Sequence, residues 1–183
     1  ERFHFIPSDE RKSPFFNVGI IGRITPLKGH LYFIKSMAKV IRSVPNLKIW
    51  IVGDATNSKA ADKEQLQVLV KRLGLWHCTE FLGTQRDIPE VMRHLDLVVL
   101  ATTTQEAFGR VVIEAQACGV PVVATRVGGV VDIIDDKKTG LLVAAADPEN
   151  MAEAVIKIAC DKDFAHRLVE NAYKKVKEKY NVE

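Results

Sequence analysis

Two glutamates stand eight positions apart in the stretch EAFGRVVIEA, one before a Phe-Gly pair and one inside an apolar run. We expect a helix to begin near Gly109, so that the backbone N–H groups of Phe108, Gly109 and Arg110 point outward from its N-terminus. Such groups can donate to a phosphate or to a sugar hydroxyl. Glu106 then lies just before the helix, and Glu114 lies in about its second turn.

Each glutamate has two interpretations from these residues alone. A vicinal diol such as a ribose would offer two hydroxyl donors to the partly buried Glu114 carboxylate, which needs a partner. The alternative for Glu114 is a buried salt bridge to Arg23 or Arg126. Glu106 either faces a ligand in a cleft or caps the helix, where the dipole stabilises a carboxylate.

The stretch GRITPLKG, residues 22–29, carries the second set of candidates. Gly22 ends a predicted strand, Arg23 and Lys28 follow, and Gly29 stands at the start of a predicted helix. Two cations and a helix N-terminus in one loop are typical of an anion site, and two solvent-exposed side chains are the alternative. The Walker pattern and the dinucleotide pattern GxGxxG are both absent, which counts against NAD.

The elements that must position these residues alternate between short apolar runs and segments of helical period. The predicted strands cover residues 16–24, 47–53, 78–83, 96–102, 121–125 and 140–145. The predicted helices cover residues 30–44, 63–74, 88–95, 110–119, 129–134, 148–160 and 163–180. Continuous apolar strands indicate a parallel sheet buried on both faces, hence a doubly wound, Rossmann-like α/β fold with six parallel strands. Such sheets bind ligands beyond the carboxyl ends of their strands.

Length and composition fit one ordinary globular domain over residues 1–183, with 47% hydrophobic and 27% charged residues. The net charge of +3 is too small to indicate a nucleic-acid partner. Cys78, Cys118 and Cys160 form no CxxC pair, and their apolar surroundings favour reduced core cysteines of a cytosolic protein.

The motif order adds a specific signal. GRITPLKG, VGD, EFLG, EAFGRVVIEAQACGVPVVATRVGG, DKKTGLLV and DPENMAEAV follow one another as in the C-terminal, donor-binding domain of GT-B retaining glycosyltransferases. The sequence most resembles the group 1 family, from about Asn17 to the last helix. This resemblance implies one half of a GT-B fold, with the acceptor-binding N-terminal domain absent.

The resemblance also implies a role for each matching residue. Arg23 and Lys28 match the basic pair that holds the donor diphosphate after Gly22, and Glu106 matches the glutamate beside the transferred sugar. Glu114 matches the glutamate that binds the ribose diol. The remaining donor-binding positions lie in the loop near the base and around the FG turn: Gly83, Arg86, Ala107, Phe108, Gly109 and Arg110. Gly128 and Gly129 match the GG turn after the fifth strand.

The implied activity is the transfer of a sugar from a nucleoside-diphosphate sugar to an acceptor glycan or lipid-linked sugar. Arg23, Lys28 and Glu106 are its expected catalytic residues. Two cations and a helix N-terminus would stabilise the departing diphosphate, so no metal and no cofactor are expected. This chain alone is expected to bind nucleotide without robust transfer. The resemblance implies a cytoplasmic protein, peripheral at the inner face of the membrane only through the full-length enzyme, and a role in cell envelope polysaccharide synthesis.

Departures and alternatives remain at this point. The loop GDATNSKAAD replaces a common GDGP, and AFG replaces GFG. Arg110 occupies a position where relatives often carry an aliphatic residue, so it either reaches the donor or simply starts the helix. His30 is expected to be a helix-start residue. The other functions considered are a non-catalytic nucleotide-binding GT-B domain and a nucleotide-sugar epimerase.

Overall fold

The structure, a computed structural model, describes residues 3, 5, 7, 13–56, 60–104 and 108–180. The strands in these ranges are β1 (Phe16–Ile21), β2 (Leu47–Val52), β3 (Thr79–Gly83), β4 (Leu97–Leu100), β5 (Val122–Thr125) and β6 (Leu141–Val143). The helices are α1 (His30–Val40), α2 (Ala60–Arg72), α3 (Ile88–Arg93), α4 (Arg110–Ala117), α5 (Val130–Ile133), α6 (Pro148–Cys160) and α7 (Lys162–Lys179). Every predicted strand and helix is present. Two 3₁₀ helices, Pro26–Lys28 and Trp76–Cys78, lie outside the predictions.

Side-chain caps explain why several helices begin where the sequence places them. The Asp147 carboxylate accepts a hydrogen bond from the Asn150 backbone N–H at 3.0 Å, and Pro148 occupies the first turn of α6. This hydrogen bond lowers the pKa of the Asp147 carboxyl. Asp161 caps α7 in the same way. An aspartate cap followed by proline is a strong start signal, which explains why α6 begins at the predicted Pro148. The helix also ends at the predicted Cys160.

The six strands form one sheet in the order β3-β2-β1-β4-β5-β6, and all pairs are parallel. The chain builds β1, β2 and β3 outward in one direction. It then returns to the other side of β1 and builds β4, β5 and β6 in the opposite direction. The order reverses between β1 and β4, so a crevice opens there at the carboxyl ends of the strands. The predicted doubly wound, six-stranded parallel sheet is confirmed.

Helices cover both faces of the sheet. Helices α1, α2 and α6 pack on one face around Phe33, Met37 and Ile49, which are fully buried. Helices α3, α4 and α5 pack on the other face around Met92 and Val112. Burying one side chain of this size contributes about 1.5–3 kcal/mol relative to exposure. Two apolar faces explain the continuous apolar strands that the sequence shows.

The last helix joins the two faces. In α7, Leu168 packs with the α1–α2–α6 layer, whereas Val176 packs with the layer that contains α4. The helix therefore crosses the edge of the domain and holds both layers against the sheet. Among the helices in the described residues, none combines the length and the apolar character needed to cross a membrane.

The cysteine prediction is confirmed in part. Cys78 and Cys118 are buried free thiols, and burial raises the pKa of Cys78. The prediction is wrong for Cys160, which is exposed. Cys160 follows Glu153 and Lys157 at helical spacing, and all three lie on the solvent face of α6.

Candidate functional site

The candidate site is the crevice between the carboxyl ends of β1 and β4. Two segments border it and are named here by the helix that each one starts. The α1 wall runs from Gly22 to His30, and the α4 wall runs from Phe108 to Glu114. The strands that lead into these walls are neighbours in the sheet although they lie about eighty positions apart in the sequence.

The α1 wall is fixed by contact with the loop that follows β4. The Leu27 carbonyl accepts a hydrogen bond from the Thr103 backbone N–H at 2.9 Å. Gly29 adopts a φ of 71°, and a Cβ atom there would lie 1.8 Å from the Ala101 carbonyl oxygen. Only glycine allows this approach, because any side chain would push the two loops apart.

The basic residues of this wall precede the N-terminus of α1, as predicted. The Gly22 backbone N–H donates to the Val52 carbonyl at 2.8 Å, which places Arg23 just beyond the sheet. Arg23 is exposed and Lys28 is half-buried. Gly29 is the N-cap of α1, no side chain caps it within the described residues, and the first turn carries no acidic residue. The wall therefore offers positive charge and backbone N–H donors together.

His30 is the first residue of α1, which confirms its prediction as a helix-start residue. Its side chain is buried, and neither ring nitrogen has a hydrogen-bond partner within the described residues. The pKa of His30 is lowered to about 4, chiefly by burial and to a smaller extent by the nearby Lys28 charge, while the Thr25 backbone opposes both effects in part. The imidazole is therefore neutral at pH 7, and it lies in the wall that carries Lys28.

The α4 wall begins with an aromatic residue and a glycine. Phe108 is 54% exposed and meets Tyr180 edge to face, with the ring centroids 6.4 Å apart. Gly109 is the N-cap of α4 with a φ of 58°, and no side chain caps the helix within the described residues. The predicted helix start near Gly109 is confirmed, and the N-terminus of α4 adjoins the crevice.

Glu114 pairs with Arg110 on the same helix. Arg110 Nη2 lies 3.2 Å from Glu114 Oε1, and the side chains are 80% and 14% exposed respectively. The expected alternative, a salt bridge from Glu114 to Arg23 or Arg126, is wrong about the partner. Positions four apart on a helix share a face, so Arg110 reaches the carboxylate first. Arg126 pairs instead with Asp136 at 2.8 Å.

Glu106 and Ala107 lie outside the described residues, so their predicted roles stay predictions. The GG turn is described and adjoins the α4 wall. Gly129 is the N-cap of the short helix α5. Its neighbour Val130 comes so close to Gly109 that a Cβ atom on Gly109 would lie 3.3 Å from Val130 Cγ2. The turn after β5 therefore supports the start of α4.

The loop after β3 lies at the far end of the same edge of the sheet. The Gly83 carbonyl accepts a hydrogen bond from the Gly53 backbone N–H at 2.8 Å, which ties the ends of β2 and β3. Arg86 lines a cavity of about 440 Å³ with Asp87, Pro89, Glu90 and Arg93. At ~4.8 Å per strand, β3 is ~14 Å from β4, so only an extended ligand would reach from this loop to the α4 wall.

One group of charged residues, at the end of β2, was not identified from the sequence. Asp54 forms an ion pair with Lys63 at 3.0 Å, and its backbone carbonyl accepts a hydrogen bond from the Ile24 N–H at 3.1 Å. The hydrogen bond from Lys63 lowers the pKa of the Asp54 carboxyl. Both side chains line a cavity of about 360 Å³. The stretch GDATNSKAAD departs from the family pattern, so no role could be transferred to it.

The two walls differ in charge. The α1 wall carries Arg23, Lys28 and a helix N-terminus, and the α4 wall carries a second helix N-terminus and the Glu114 carboxylate. Anionic groups favour helix N-termini, and hydroxyl groups donate to carboxylates. The described residues contain no cluster of three or more His, Cys, Asp or Glu side chains with metal-binding geometry.

Comparison with known proteins gives three kinds of match. The model of the family described as "Glycosyl transferases group 1" matches residues 4–175. The D-inositol 3-phosphate glycosyltransferase of Corynebacterium jeikeium is 36% identical over 151 residues, which are 80% of this chain and 36% of that protein. The chain therefore spans about a third of that relative.

Two solved structures are also similar. HepE of Anabaena, in complex with UDP-glucose, has a TM-score of 0.91 and 30% identity, over 99% of this chain and 51% of that one. The C-terminal domain of LpcC, a glycosyl transferase group 1 family protein from Francisella tularensis, has a TM-score of 0.87 and 28% identity. That match covers 99% of this chain and 97% of the LpcC domain.

Proposed function

We propose that this chain, which belongs to the group 1 glycosyltransferases, binds the nucleoside-diphosphate sugar that donates the transferred sugar. The family match confirms the resemblance inferred from the order of the motifs. The observation that carries the proposal is the reversal of strand order between β1 and β4, because the α1 wall with Arg23 and Lys28 follows β1 and the α4 wall with Glu114 follows β4. The UDP-glucose complex of the similar HepE supports the same class of ligand.

Arg23, Lys28 and the N-terminus of α1 are proposed to hold the diphosphate. The bond between sugar and phosphate breaks in the transfer, and negative charge grows on the departing nucleoside diphosphate. Fixed cations and oriented N–H groups stabilise such charge without having to reorganise as it forms. For this reason we propose a transfer that needs no metal ion and no cofactor.

The nucleoside is proposed to lie along the carboxyl edge of the sheet. Glu114 would accept hydrogen bonds from the ribose hydroxyls, and the loop with Gly83 and Arg86 would contact the base. The backbone around Phe108 and Gly109 would bind the sugar or the phosphate. Glu106 is proposed to lie beside the transferred sugar and to stabilise a cationic, oxocarbenium-like centre in a retaining transfer.

The whole protein is proposed to transfer the sugar to a glycan or a lipid-linked sugar held by a further domain, in cell envelope polysaccharide synthesis. It would act in the cytoplasm, peripheral at the inner face of the membrane. This chain covers 36% of the curated relative, so we propose that it binds the donor but transfers sugar weakly or not at all on its own. The matches are glycosyltransferases, which does not favour the epimerase or the non-catalytic alternative.

Calorimetric titration of the 183-residue chain with UDP, GDP and ADP tests the proposal. One diphosphate is expected to bind, and Lys28→Ala and Glu114→Ala are each expected to weaken it by about ten- to a hundredfold, since a hydrogen bond to a charged group contributes ~1.5–3 kcal/mol. The matched control is Lys39→Ala, which removes a lysine from the last turn of α1, at the far end of that helix. The proposal is wrong if no diphosphate binds, or if the control weakens binding as much as Lys28→Ala does.

A further inference from the structure

The ion pair between Arg110 and Glu114 is the feature of the site that the family resemblance leaves without a role. Arg110 Nη2 donates to Glu114 Oε1 at 3.2 Å. The guanidinium is almost fully in solvent, whereas the carboxylate is largely covered. Within the described part of the chain, no other group forms a hydrogen bond with that carboxylate.

Helix stability does not explain why an arginine stands at this position. A cation in the first turn opposes the positive end of the helix dipole. A basic residue four positions before a glutamate is also the weaker of the two orders for such a pair. An ion pair whose arginine is exposed to solvent contributes little in return. The pair is therefore close to neutral for the stability of the fold, and its main effect is on Glu114.

The effect on Glu114 follows from its hydrogen-bonding capacity. An ionised carboxylate has about four acceptor sites on its two oxygens, and Arg110 occupies one of them on Oε1. The remaining sites are enough for two neighbouring hydroxyl groups. A glutamate side chain otherwise loses rotamer freedom when a ligand fixes it. A guanidinium that already holds one oxygen removes part of that loss before the ligand arrives.

We infer that Arg110 is a positioning residue that orients the Glu114 carboxylate to receive both hydroxyls of a ribose. The inference rests on the proposed donor site, because it assigns Glu114 to the nucleoside. In this arrangement Arg110 contacts the carboxylate rather than the nucleotide, and it acts through Glu114. Its contribution is therefore specific for ligands that carry the hydroxyl pair.

A ligand that lacks one ribose hydroxyl tests whether Arg110 acts through Glu114. A site built to hydrogen-bond a hydroxyl discriminates against the analogue that lacks it, because the site's polar group is left unpaired. The wild-type chain should bind UDP at least tenfold more tightly than 2′-deoxy-UDP. Arg110→Met should reduce that ratio threefold or more and change the affinity for 2′-deoxy-UDP by less than twofold. Arg110→Lys should restore part of the ratio.

The titrations use the full 183-residue chain, with circular dichroism melts of each variant to confirm folding. Glu114→Gln should abolish the discrimination, and Arg110→Met added to Glu114→Gln should cause no further loss, because residues that act through one another are non-additive. Equal weakening of UDP and 2′-deoxy-UDP by Arg110→Met would overturn the inference, as would an unchanged ratio. Absence of UDP binding by the wild-type chain would instead overturn the proposed donor site for UDP.

Discussion

The two walls of the crevice are built in different ways. The α1 wall is locked by backbone contacts, with Gly29 against Ala101 and a hydrogen bond from Thr103 to Leu27. The α4 wall presents side chains instead: Phe108 and Arg110 stand largely in solvent. The first wall therefore has a fixed shape, and the second can vary its contacts without disturbing the sheet.

The difference matches the chemistry proposed for each wall. A diphosphate that gains charge during bond breaking is best stabilised by donors that do not have to move. A sugar and a ribose are recognised through individual hydroxyl groups, which side chains bind one at a time. We therefore expect substitutions at the packed positions of the α1 wall, Gly29 above all, to damage the fold and the site together, and substitutions in the α4 wall to change ligand preference at small cost in stability.

The largest effect is expected at the contact between the two loops. Gly29→Ala places a Cβ atom 1.8 Å from the Ala101 carbonyl oxygen at a φ of 71°. Left-handed strain of ~1–2 kcal/mol and a forced backbone shift of ~1–3 kcal/mol together give a loss of about 2–5 kcal/mol in the free energy of unfolding. Urea denaturation measures the loss.

Gly74→Ala is the matched control for that substitution. Gly74 has a φ of 73°, and no heavy atom lies within 4 Å of the position that its Cβ would take. This variant should lose only the strain contribution of ~1–2 kcal/mol. Equal losses in the two variants would show that the α1 wall is not held by close contact.

The next effect concerns the buried His30 in the α1 wall. Its pKa of about 4 in the fold lies below the usual 6.5, so the folded state binds the proton less readily than the unfolded state. The stability that the neutral His30 contributes to the folded state is present above pH 6.5 and is lost as the pH falls through about 4. Each pKa unit corresponds to about 1.36 kcal/mol. The free energy of unfolding of the wild type should therefore fall by up to about 3 kcal/mol between pH 7 and pH 4, a loss that His30→Gln should not show.

Urea denaturation between pH 7 and pH 4 checks this difference. The exposed His166 pairs with Glu170 on the surface of α7, so His166→Gln serves as the control and should follow the wild-type pH dependence. Parallel pH profiles for the wild type and His30→Gln would contradict the prediction.

The smallest effect is expected in the α4 wall. At Gly109 an added Cβ atom would meet the side-chain tips of Val130 and Ile133 at 3.3 and 3.4 Å. These tips can shift by a few tenths of an ångström, so Gly109→Ala should cost about 1.5 kcal/mol, mostly left-handed strain at a φ of 58°. The same urea assay applies, and a loss as large as that of Gly29→Ala would remove the contrast between the walls.

Much of the fold was predictable because local patterns specify it. The β-branched runs predict the strands, and the Asp147-Pro148 cap predicts the start of α6. Helical spacing predicts the other helices. The boundaries are less well predicted than the elements: α1 ends at Val40 rather than at residue 44, because the chain passes through turn residues 41–43 before it reaches Pro45. Apolar neighbours in the sequence did not predict the exposure of Cys160 correctly, because its exposure depends on which face of α6 turns to the sheet.

The candidate site was predictable in its residue types and only partly in its contacts. The helix starts at Gly29 and Gly109 follow from glycine and helical period. The salt-bridge alternative for Glu114 names the distant Arg23 and Arg126, whereas the helix itself supplies Arg110 four positions away. The burial of His30 and the ion pair between Asp54 and Lys63 carry no sequence signal, since both depend on neighbouring loops.

By itself the sequence determined the α/β class, the six strands, the seven helices and the order of the family motifs, because hydrophobic period, caps and turn residues act over a few positions. Only the tertiary structure decided that β1 and β4 are neighbours, that Gly29 touches Ala101, and that the two helix N-termini share one crevice. Strand pairing joins segments about eighty positions apart, and it is decided by the packing of both sheet faces at once. That packing brings the segments that follow β1 and β4 to the same edge of the sheet.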